Sequence, residues 1–211
     1  MRDETAVVAV IDDDQSVREA LRELFETVAL QTELYGSIDE YLRASKSLPV
    51  NCIVLDVRLP GASGLDFQAQ LANANNRTPI VFLTAHADIP MSVRAIKAGA
   101  IEFLTKPFRD QELLDAVRKG IEYDLLNRAQ AQELAALQAR FESLTSRERE
   151  VMALIAEGQI IKQIAGQIGI TAMTARIHRN QALSKMGARS TADLVRMADK
   201  LNLQSPKQQS N

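Results

Sequence analysis

Five polar residues end or closely follow short apolar runs, and side chains of these types can together bind and accept a phosphoryl group. They are Asp12, Asp13, Asp56, Thr84 and Lys106. Asp56 gives the clearest signal, because the apolar run Cys52–Leu55 leads directly to it and a Pro60-Gly61 turn follows. An Asp near such a turn more often only caps or bends the chain. A chemical role for Asp56 therefore depends on whether the other four residues lie close to it.

Three carboxylates placed close together raise one another's pKa unless a hard divalent cation neutralises them. Mg²⁺ suits such a site, because it takes oxygen ligands and keeps several waters. An oxygen of Asp56 could attack phosphorus in line, while the Lys106 ammonium and the Thr84 hydroxyl stabilise charge on the equatorial oxygens. These residue types therefore favour the formation of an aspartyl phosphate at Asp56.

Alternating strands and helices in the first part of the chain would bring these side chains together. The apolar patterns predict strands at Ala6–Ile11, Thr32–Tyr35, Cys52–Val57, Pro79–Thr84 and Ile101–Leu104. Helical patterns lie between them, including residues 64–74, residues 90–98 and a capping box of Ser37 with Glu40. This alternation predicts an α/β fold with an open, flavodoxin-like parallel sheet of five strands in the order 2-1-3-4-5. In that order, strands one, three, four and five bring their carboxyl ends to one crevice.

Four segments of this first part resemble the receiver domain of two-component response regulators. They are Val10–Asp14, Leu55–Gly61, Phe82–His86 and Phe103–Phe108, and as an ordered set they are highly specific. The resemblance implies that Asp56 accepts a phosphoryl group from a sensor histidine kinase. It also implies that Asp13, Asp56 and the Arg58 carbonyl bind Mg²⁺ directly, while Asp12 acts through water.

The same resemblance implies a conformational switch. Thr84 turns toward the phosphoryl group, and Phe103 moves inward to fill the space, although Phe103 could instead be an ordinary strand aromatic. A cis bond between Lys106 and Pro107 is implied as well. His86 follows the fourth strand and could bind a metal or exchange protons, but the set of five residues is complete without it.

A helical segment connects this domain to the rest of the chain. Asp110 is suited to cap a helix, and residues 122–140 are rich in good helix formers without Gly or Pro. A coiled-coil contact between two copies is an alternative, but the irregular apolar spacing favours a surface helix. The predicted organisation is a receiver domain at residues 1–122, a helical linker at 123–141, a second domain at 142–204 and a disordered tail at 205–211.

Capping residues divide the second domain into four short helices. The signals are a capping box of Thr145 with Glu148, helix ends at Gly158 and Gly169, and caps at Thr171 and Ser190. Because Thr171 follows Gly169 so closely, the second and third helices are expected to form a helix-turn-helix within an all-α domain.

Three segments resemble the LuxR-type DNA-binding domain of the FixJ and NarL group. They are Leu144–Val151, Ile164–Ile170, and His178-Arg179 with Lys185–Gly187. Two positions depart from the family pattern. Ile161 replaces the usual Asn at the start of the scaffold helix, which could cost about 1 kcal/mol of capping, and Ala175 replaces a larger Val beneath the recognition helix. Both departures bear on DNA affinity more than on the fold.

Helical spacing separates two faces of the third helix of this domain. One face carries Met173, Arg176, Ile177 and Asn180, and the packed face carries Ala175, Ala182, Leu183 and Met186. The first face is expected in the major groove, where Arg176 reads guanine or alternatively contacts a phosphate, Asn180 reads adenine and Ile177 touches a thymine methyl group. The other residues expected to contact DNA, mainly through phosphates, are Lys162, Thr174, Arg179 and Lys185.

Composition and charge agree with two domains that have different partners. Residues 1–140 carry 15 Lys/Arg against 21 Asp/Glu, a net charge of −6, whereas residues 141–211 carry 10 against 6, a net charge of +4. Between Gly158 and Arg189 there are five basic residues and no acid, which favours a polyanion partner. The single cysteine, Cys52, excludes an internal disulfide and a cysteine-based zinc site. Without a membrane-length apolar run or a signal-peptide pattern, the protein is expected in the cytoplasm with no membrane partner.

The sequence therefore predicts a phosphorylation-controlled transcription regulator that binds promoter DNA and forms a homodimer when phosphorylated. It predicts a binding protein and not a turnover enzyme. An aspartate-based phosphohydrolase is one rival, but the second acid that such enzymes use two positions after the nucleophile is absent here. The other rival is a phosphate sink or a protein-interaction regulator with impaired DNA binding, supported only by Ile161 and Ala175.

Overall fold

The computed structural model describes residues 6–44, 49–85 and 88–203. The chain divides into two compact units, with the boundary between Arg128 and Ala129. His86 and the tail at 205–211 lie outside the described residues. Within the described ranges, none of the helices combines the length and the apolar character that spanning a membrane requires.

The first unit is built on a parallel sheet. Its five strands are β1 (Val7–Ile11), β2 (Gln31–Tyr35), β3 (Cys52–Asp56), β6 (Ile80–Thr84) and β7 (Glu102–Thr105). They pair in the order β2-β1-β3-β6-β7, and every pair is parallel. Two further strands, β4 (Arg58–Leu59) and β5 (Ala62–Ser63), form a small antiparallel hairpin. The predicted order 2-1-3-4-5 is confirmed for the five main strands.

Apolar residues on both faces of the sheet explain why the central strands lie inside. Ala9 and Ile53 point into one core, whereas Val10 and Val54 point into the other, because successive side chains of a strand alternate between its faces. β1 and β6 are buried throughout, and the edge strands β2 and β7 are only partly buried. Near-continuous apolar runs of this kind are typical of strands covered on both faces.

Helices connect the strands and cover the two faces. They are α1 (Gln15–Glu26), α2 (Ile38–Arg43), α3 (Gly64–Asn73), α4 (Ile89–Lys97) and α5 (Asp110–Glu142). Ser37 caps α2 as predicted, but the reciprocal half of the expected capping box is missing. The Glu40 carboxylate accepts from the N–H of Gly36 and not from that of Ser37. The helix predicted at residues 64–74 ends one residue earlier in the structure, and the helix predicted at residues 90–98 both begins and ends one residue earlier.

Helix α5 packs against β3 through a close contact at Gly120. A Cβ atom at this position would lie 2.7 Å from the Sγ atom of Cys52, so a larger residue would force one element to shift. Farther along the helix, Arg128 donates to the carbonyl of Val50 and pairs with the buried Asp124. Residues 122–140 are helical, as predicted, and they form part of a single helix of 33 residues.

The second unit contains the end of α5 and four shorter helices. These are α6 (Ser146–Ala156), α7 (Ile161–Ile168), α8 (Ala172–Met186) and α9 (Thr191–Lys200). The capping box of Thr145 with Glu148 and the caps at Thr171 and Ser190 are confirmed. Helix α7 differs from expectation, because its N-cap is Ile160, which offers no side-chain acceptor, and Ile161 is already the first helical residue.

Candidate functional site

Three carboxylates meet at the carboxyl end of the sheet in the first unit. Asp12 follows β1 and Asp56 ends β3, and these neighbouring strands run parallel in register. Each of Asp12, Asp13 and Asp56 offers a carboxylate oxygen within 4.8 Å of the others. Asp12 is buried, Asp56 is partly buried and Asp13 is exposed. The predicted convergence of these side chains is thus present in the structure, and their oxygen donors could hold a metal ion.

Lys106 lies between two of these carboxylates. Its Nζ atom is 2.6 Å from Oδ2 of Asp12 and 2.8 Å from Oδ2 of Asp56. The peptide bond between Lys106 and Pro107 is cis, as the receiver resemblance implies. The backbone N–H of Lys106 donates to the carbonyl of Thr84 at 2.7 Å, which ties this turn to the end of β6. A single ammonium thus bridges the end of β1 and the end of β3.

Burial and ion pairing act in opposite directions on these groups. Burial raises the pKa of Asp12, although hydrogen bonds from Lys106 and from the N–H of Asp14 oppose that effect. For Lys106, burial alone would lower the pKa, but hydrogen bonds to Asp12 and Asp56 outweigh it and raise the pKa. Lys106 therefore remains a cation beside the buried carboxyl of Asp12.

The loop after β3 orients Asp56. Its Oδ1 atom accepts a hydrogen bond from the N–H of Arg58 at 2.9 Å, while Oδ2 accepts from Lys106. Helix α3 begins so close that a Cβ atom on Gly64 would lie 2.7 Å from the carbonyl oxygen of Asp56. Glycine at this position is required by the close approach, and the neighbouring residues gave no signal of that requirement in the sequence.

The two proposed switch residues lie on neighbouring strands. Thr84 is buried at the end of β6, and Phe103 is partly buried in β7. The ring of Phe103 lies 6.0 Å from that of Phe82, centre to centre, with the planes tilted by 45°. Phe103 also packs against the core on its side of the sheet. Both the switch role and the ordinary strand role of Phe103 are compatible with this position.

The sequence pattern did not indicate the hydrogen-bonding roles of two residues near the site. Asp14 caps α1 by accepting from the N–H of Ser16, and its own N–H donates to Oδ1 of Asp12. Arg18 donates to the carbonyl of Asp12 at 2.6 Å. An Asp directly before the helical pattern of α1 is the signal that could have identified this cap. Arg18 carried no such signal.

In the second unit, helix α8 has the two faces that the spacing predicts. Met173, Arg176, Ile177 and Asn180 are exposed, whereas Ala175, Ala182 and Met186 are completely buried and Leu183 is partly buried. Lys162 is exposed on α7. The side chains expected to read bases therefore lie on an accessible face of the helix that follows the tight turn.

Four of the residues expected to contact DNA have partners within the protein, namely Thr174, Arg179, Asn180 and Lys185. Arg179 donates from Nε and from a terminal nitrogen to Oδ1 of Asn180, and the hydroxyl of Thr174 lies 2.8 Å from that of Thr171. The sequence pattern assigns Lys185 to a DNA phosphate, whereas in the structure its ammonium binds Glu148 at 2.7 Å. Glu148 itself is buried, and only its place in a capping box pointed to it in the sequence.

Comparison with known proteins identifies both parts of the chain. Residues 8–118 match the response regulator receiver domain, and residues 142–198 match the bacterial regulatory proteins of the luxR family. Nodulation protein W of Bradyrhizobium diazoefficiens is 48% identical over 198 residues, which are 94% of this chain and 87% of that protein. The response regulator protein TodT of Pseudomonas putida is 39% identical over 201 residues, covering 95% of this chain and 88% of TodT.

Solved structures agree with these relatives. The response regulator StyR superposes with a TM-score of 0.83 at 43% identity, covering 93% of this chain and 99% of StyR. Full-length FixJ from B. japonicum gives a TM-score of 0.56 at 32% identity, covering 95% of this chain and 98% of FixJ. With the acidic cluster in the first unit and the helix-turn-helix in the second, these matches show that the chain belongs to the two-component response regulators that carry a LuxR-type DNA-binding domain.

Proposed function

We propose that this protein is a phosphorylation-controlled transcription regulator in which Asp56 accepts the phosphoryl group of a sensor histidine kinase. The observation that carries this proposal is the position of Asp56. One oxygen of its carboxylate is fixed by the N–H of Arg58 and the other by the ammonium of Lys106. Such a carboxylate is oriented before any phosphodonor arrives, and preorganisation of this kind lowers the barrier to in-line attack.

In the transfer, an oxygen of Asp56 forms a bond to phosphorus as the bond from phosphorus to the kinase histidine breaks. Lys106 and the hydroxyl of Thr84 are the side chains we assign to the charge on the phosphoryl oxygens. The donor set of Asp12, Asp13 and Asp56 suits a hard cation with oxygen ligands, and we assign the Arg58 carbonyl to the same site. Bound Mg²⁺ would supply positive charge that neutralises these carboxylates and the phosphoryl group.

The experiment for this step is intact-mass measurement after incubation with a small phosphodonor and Mg²⁺. Wild-type protein is expected to gain one phosphoryl group, and Asp56→Asn is expected to gain none. Asp66→Asn is the matched control, because Asp66 is an exposed carboxylate at the start of α3. Phosphorylation of Asp56→Asn, or of wild type in excess chelator, would show that the assignment is wrong.

We assign DNA binding to the exposed face of α8 and to the basic residues near it. In this assignment Arg176, Ile177 and Asn180 contact base edges, while Lys162, Thr174 and Arg179 contact the phosphate backbone. Support comes from the exposure of this face and from the absence of acidic residues between Gly158 and Arg189. Selection of genomic fragments by the phosphorylated protein tests the assignment. Failure to retain any fragment would favour a phosphate sink instead.

We further propose that phosphorylation drives formation of a homodimer through α4 and β7. Helix α4 buries Ala95 and packs Met91 on the core, yet it leaves a row of large apolar side chains exposed. These are Ile89, Val93 and Ile96, with 80%, 44% and 45% of their surface accessible. An exposed apolar patch of this kind is suited to a contact between two copies of the chain.

The same proposal includes the organisation of the chain. We place the receiver domain at residues 1–122, a linker at 123–141, the DNA-binding domain at 142–204 and a tail at 205–211. The matched segments 8–118 and 142–198 support the two domains. The protein then acts in the cytoplasm as a binding protein whose only chemistry is phosphoryl transfer onto Asp56.

A further inference from the structure

The C-terminal end of α8 is attached to α6 by an ion pair between residues that are 37 positions apart in the sequence. The Nζ atom of Lys185 lies 2.7 Å from Oε2 of Glu148. Only 3% of the Glu148 side chain is accessible, whereas 38% of the Lys185 side chain is accessible. The carboxylate is therefore the buried partner, and the lysine reaches inward to it from the last turn of α8.

Glu148 is itself held in place by the start of α6. Its Oε2 atom also accepts from the N–H of Thr145 at 2.8 Å, and its own N–H donates to the hydroxyl of Thr145 at 3.3 Å. Burial alone would raise the pKa of Glu148, but hydrogen bonds from Lys185 and from Thr145 outweigh it and lower the pKa. The carboxylate is thus an ionised, fixed acceptor to which the end of α8 is anchored.

A second cation holds the same end of α8. Arg140, in the last turn of α5, donates to the carbonyl of Met186 at 3.3 Å. The following residue, Gly187, has a φ of 70°, and a Cβ atom there would lie 3.2 Å from a terminal nitrogen of Arg140. At the other end, the hydroxyl of Thr171 caps α8 by accepting from the N–H of Thr174. Both ends of the helix therefore have specific polar attachments.

We propose that Glu148 and Lys185 are positioning residues that set the orientation of α8 for DNA, and that Lys185 acts through Glu148 and not on a DNA phosphate. This inference rests on the proposed function, in which the exposed face of α8 enters the major groove. A base-reading helix must present its side chains in a fixed geometry, because bidentate contacts to bases tolerate little displacement. On the buried side of α8, Met186 is large but Ala175 and Ala182 are small, so the polar attachments at the helix ends add to the orientation that packing provides.

The electrostatics of the pair support this role. The Lys185 ammonium is already bound to a carboxylate, so a nearby phosphate would have to compete with an ionised group at 2.7 Å. Removal of Lys185 would leave the Glu148 carboxylate buried without its cation. An uncompensated buried charge of this kind strongly destabilises the fold around it. Removal of Glu148 would leave Lys185 near solvent, where an unpaired ammonium is tolerated.

The test uses full-length phosphorylated protein with Lys185→Met, Glu148→Gln and the double variant. Binding is measured on a genomic duplex selected by wild type and on a random duplex, over a series of salt concentrations. Circular dichroism and hydrogen exchange of the α8 amides are measured first, and the binding experiments are run at a temperature at which every variant is folded. Lys162→Met is the reference for loss of a phosphate contact. The control is a second double variant, Arg147→Met with Glu150→Gln, because Arg147 and Glu150 form an exposed ion pair on the same helix α6.

We expect Lys185→Met to lose about tenfold or more in affinity for the selected duplex, comparable to one wrong base pair. The double variant should recover part of that loss, because it no longer contains a buried unpaired carboxylate. For Lys185→Met and for the double variant, the slope of log affinity against log salt concentration should be the same as for wild type. Lys162→Met should lower the magnitude of this slope by about one unit. The exposed control pair should bind as wild type does.

Three results would contradict this inference, and each leads to a different conclusion. A salt slope lowered by about one unit in Lys185→Met, without recovery in the double variant, would show that Lys185 contacts a phosphate. Folded variants with wild-type affinity and wild-type preference for the selected duplex would show that the pair serves only fold stability. If wild type itself binds no genomic duplex, the proposed function fails, and this inference fails with it.

Discussion

The ammonium of Lys106 is hydrogen-bonded directly to the carboxylate of Asp56, with 2.8 Å between Nζ and Oδ2. The same ammonium donates a hydrogen bond to Asp12, which follows the neighbouring strand β1. A phosphoryl group attached to Asp56 would bring new negative oxygens into this space, and Lys106 is close enough to bind them with a small side-chain movement. The pair therefore links the attacking group to the cation that stabilises the charge of the transferred group.

We expect Lys106→Met to slow phosphorylation of Asp56 by small phosphodonors by about 10²-fold, the typical effect of removing one group that stabilises transition-state charge. The variant retains the acidic cluster but loses the cation at the reacting oxygen. Time courses of intact mass at several donor concentrations measure the rate. Lys119→Met, an exposed lysine on α5, is the control. An unchanged rate for Lys106→Met would remove Lys106 from the chemistry.

Coupling between phosphorylation and dimerisation is expected to depend on Thr84. This residue is buried at the end of β6 and is paired in register with Thr105 of β7, a strand of the proposed interface. With a saturating phosphoryl mimic, Thr84→Ala should raise the dimer dissociation constant about fivefold or more, the lower range of typical coupling energies. Analytical ultracentrifugation measures the constant.

Thr27→Ala is the control for this prediction, because Thr27 is an exposed threonine at the end of α1 and lies outside the proposed interface of α4 and β7. It should dimerise as wild type does. A wild-type protein that stays monomeric under the mimic would contradict the proposed dimer, whereas equal dimerisation of Thr84→Ala and wild type would contradict only the switch role of Thr84.

The sheet and its acidic site could be predicted because they follow from periodic patterns. Apolar runs such as Cys52–Leu55 identify strands buried on both faces, and parallel strands bring their carboxyl ends together. The strand order then places Asp12 beside Asp56 without knowledge of any side-chain conformation. A few residues of error at a strand end do not alter that result.

Contacts made by long side chains could not be predicted in the same way. The ion pair of Lys185 with Glu148 depends on the packing of α8 against α6, and sequence spacing does not encode that distance. The same is true of Arg128, whose guanidinium reaches the carbonyl of Val50. The Glu40 carboxylate accepts a hydrogen bond from the N–H of Gly36, whereas the capping pattern assigns it to the N–H of Ser37. Sequence spacing does not fix which of two successive donors a flexible side chain binds.

The N-cap of α7 gives a prediction on stability. Ile160 has an extended backbone at this position, is 62% exposed and offers no acceptor to the first turn. Ile160→Ser should stabilise α7 by about 1 kcal/mol, since serine is a favoured N-cap and little apolar burial is lost. Hydrogen-exchange protection of the α7 amides measures the change. Ile161→Asn is the control and should give no such gain, because residue 161 already lies inside the helix.

Arg176 and Lys162 are expected to affect DNA binding in different ways. Both are exposed, but Arg176 lies on the outer face of α8 with Ile177 and Asn180, whereas Lys162 lies in the first turn of α7. A guanidinium can bond guanine O6 and N7 together, and an ammonium acts on phosphate as a point charge. Arg176 should therefore contribute to sequence preference, and Lys162 to affinity for any duplex.

Arg176→Ala should cost about 1 to 3 kcal/mol on the selected duplex and relax preference at one base pair, with a much smaller loss on random DNA. Lys162→Ala should weaken both duplexes alike and lower the salt slope by about one unit. Titrations of both duplexes over a salt series, with every base pair of the selected site varied in turn, separate the two effects. Equal losses on both duplexes for Arg176→Ala would make it another phosphate contact, and the base-reading role would then have to lie with Asn180 and Ile177 alone.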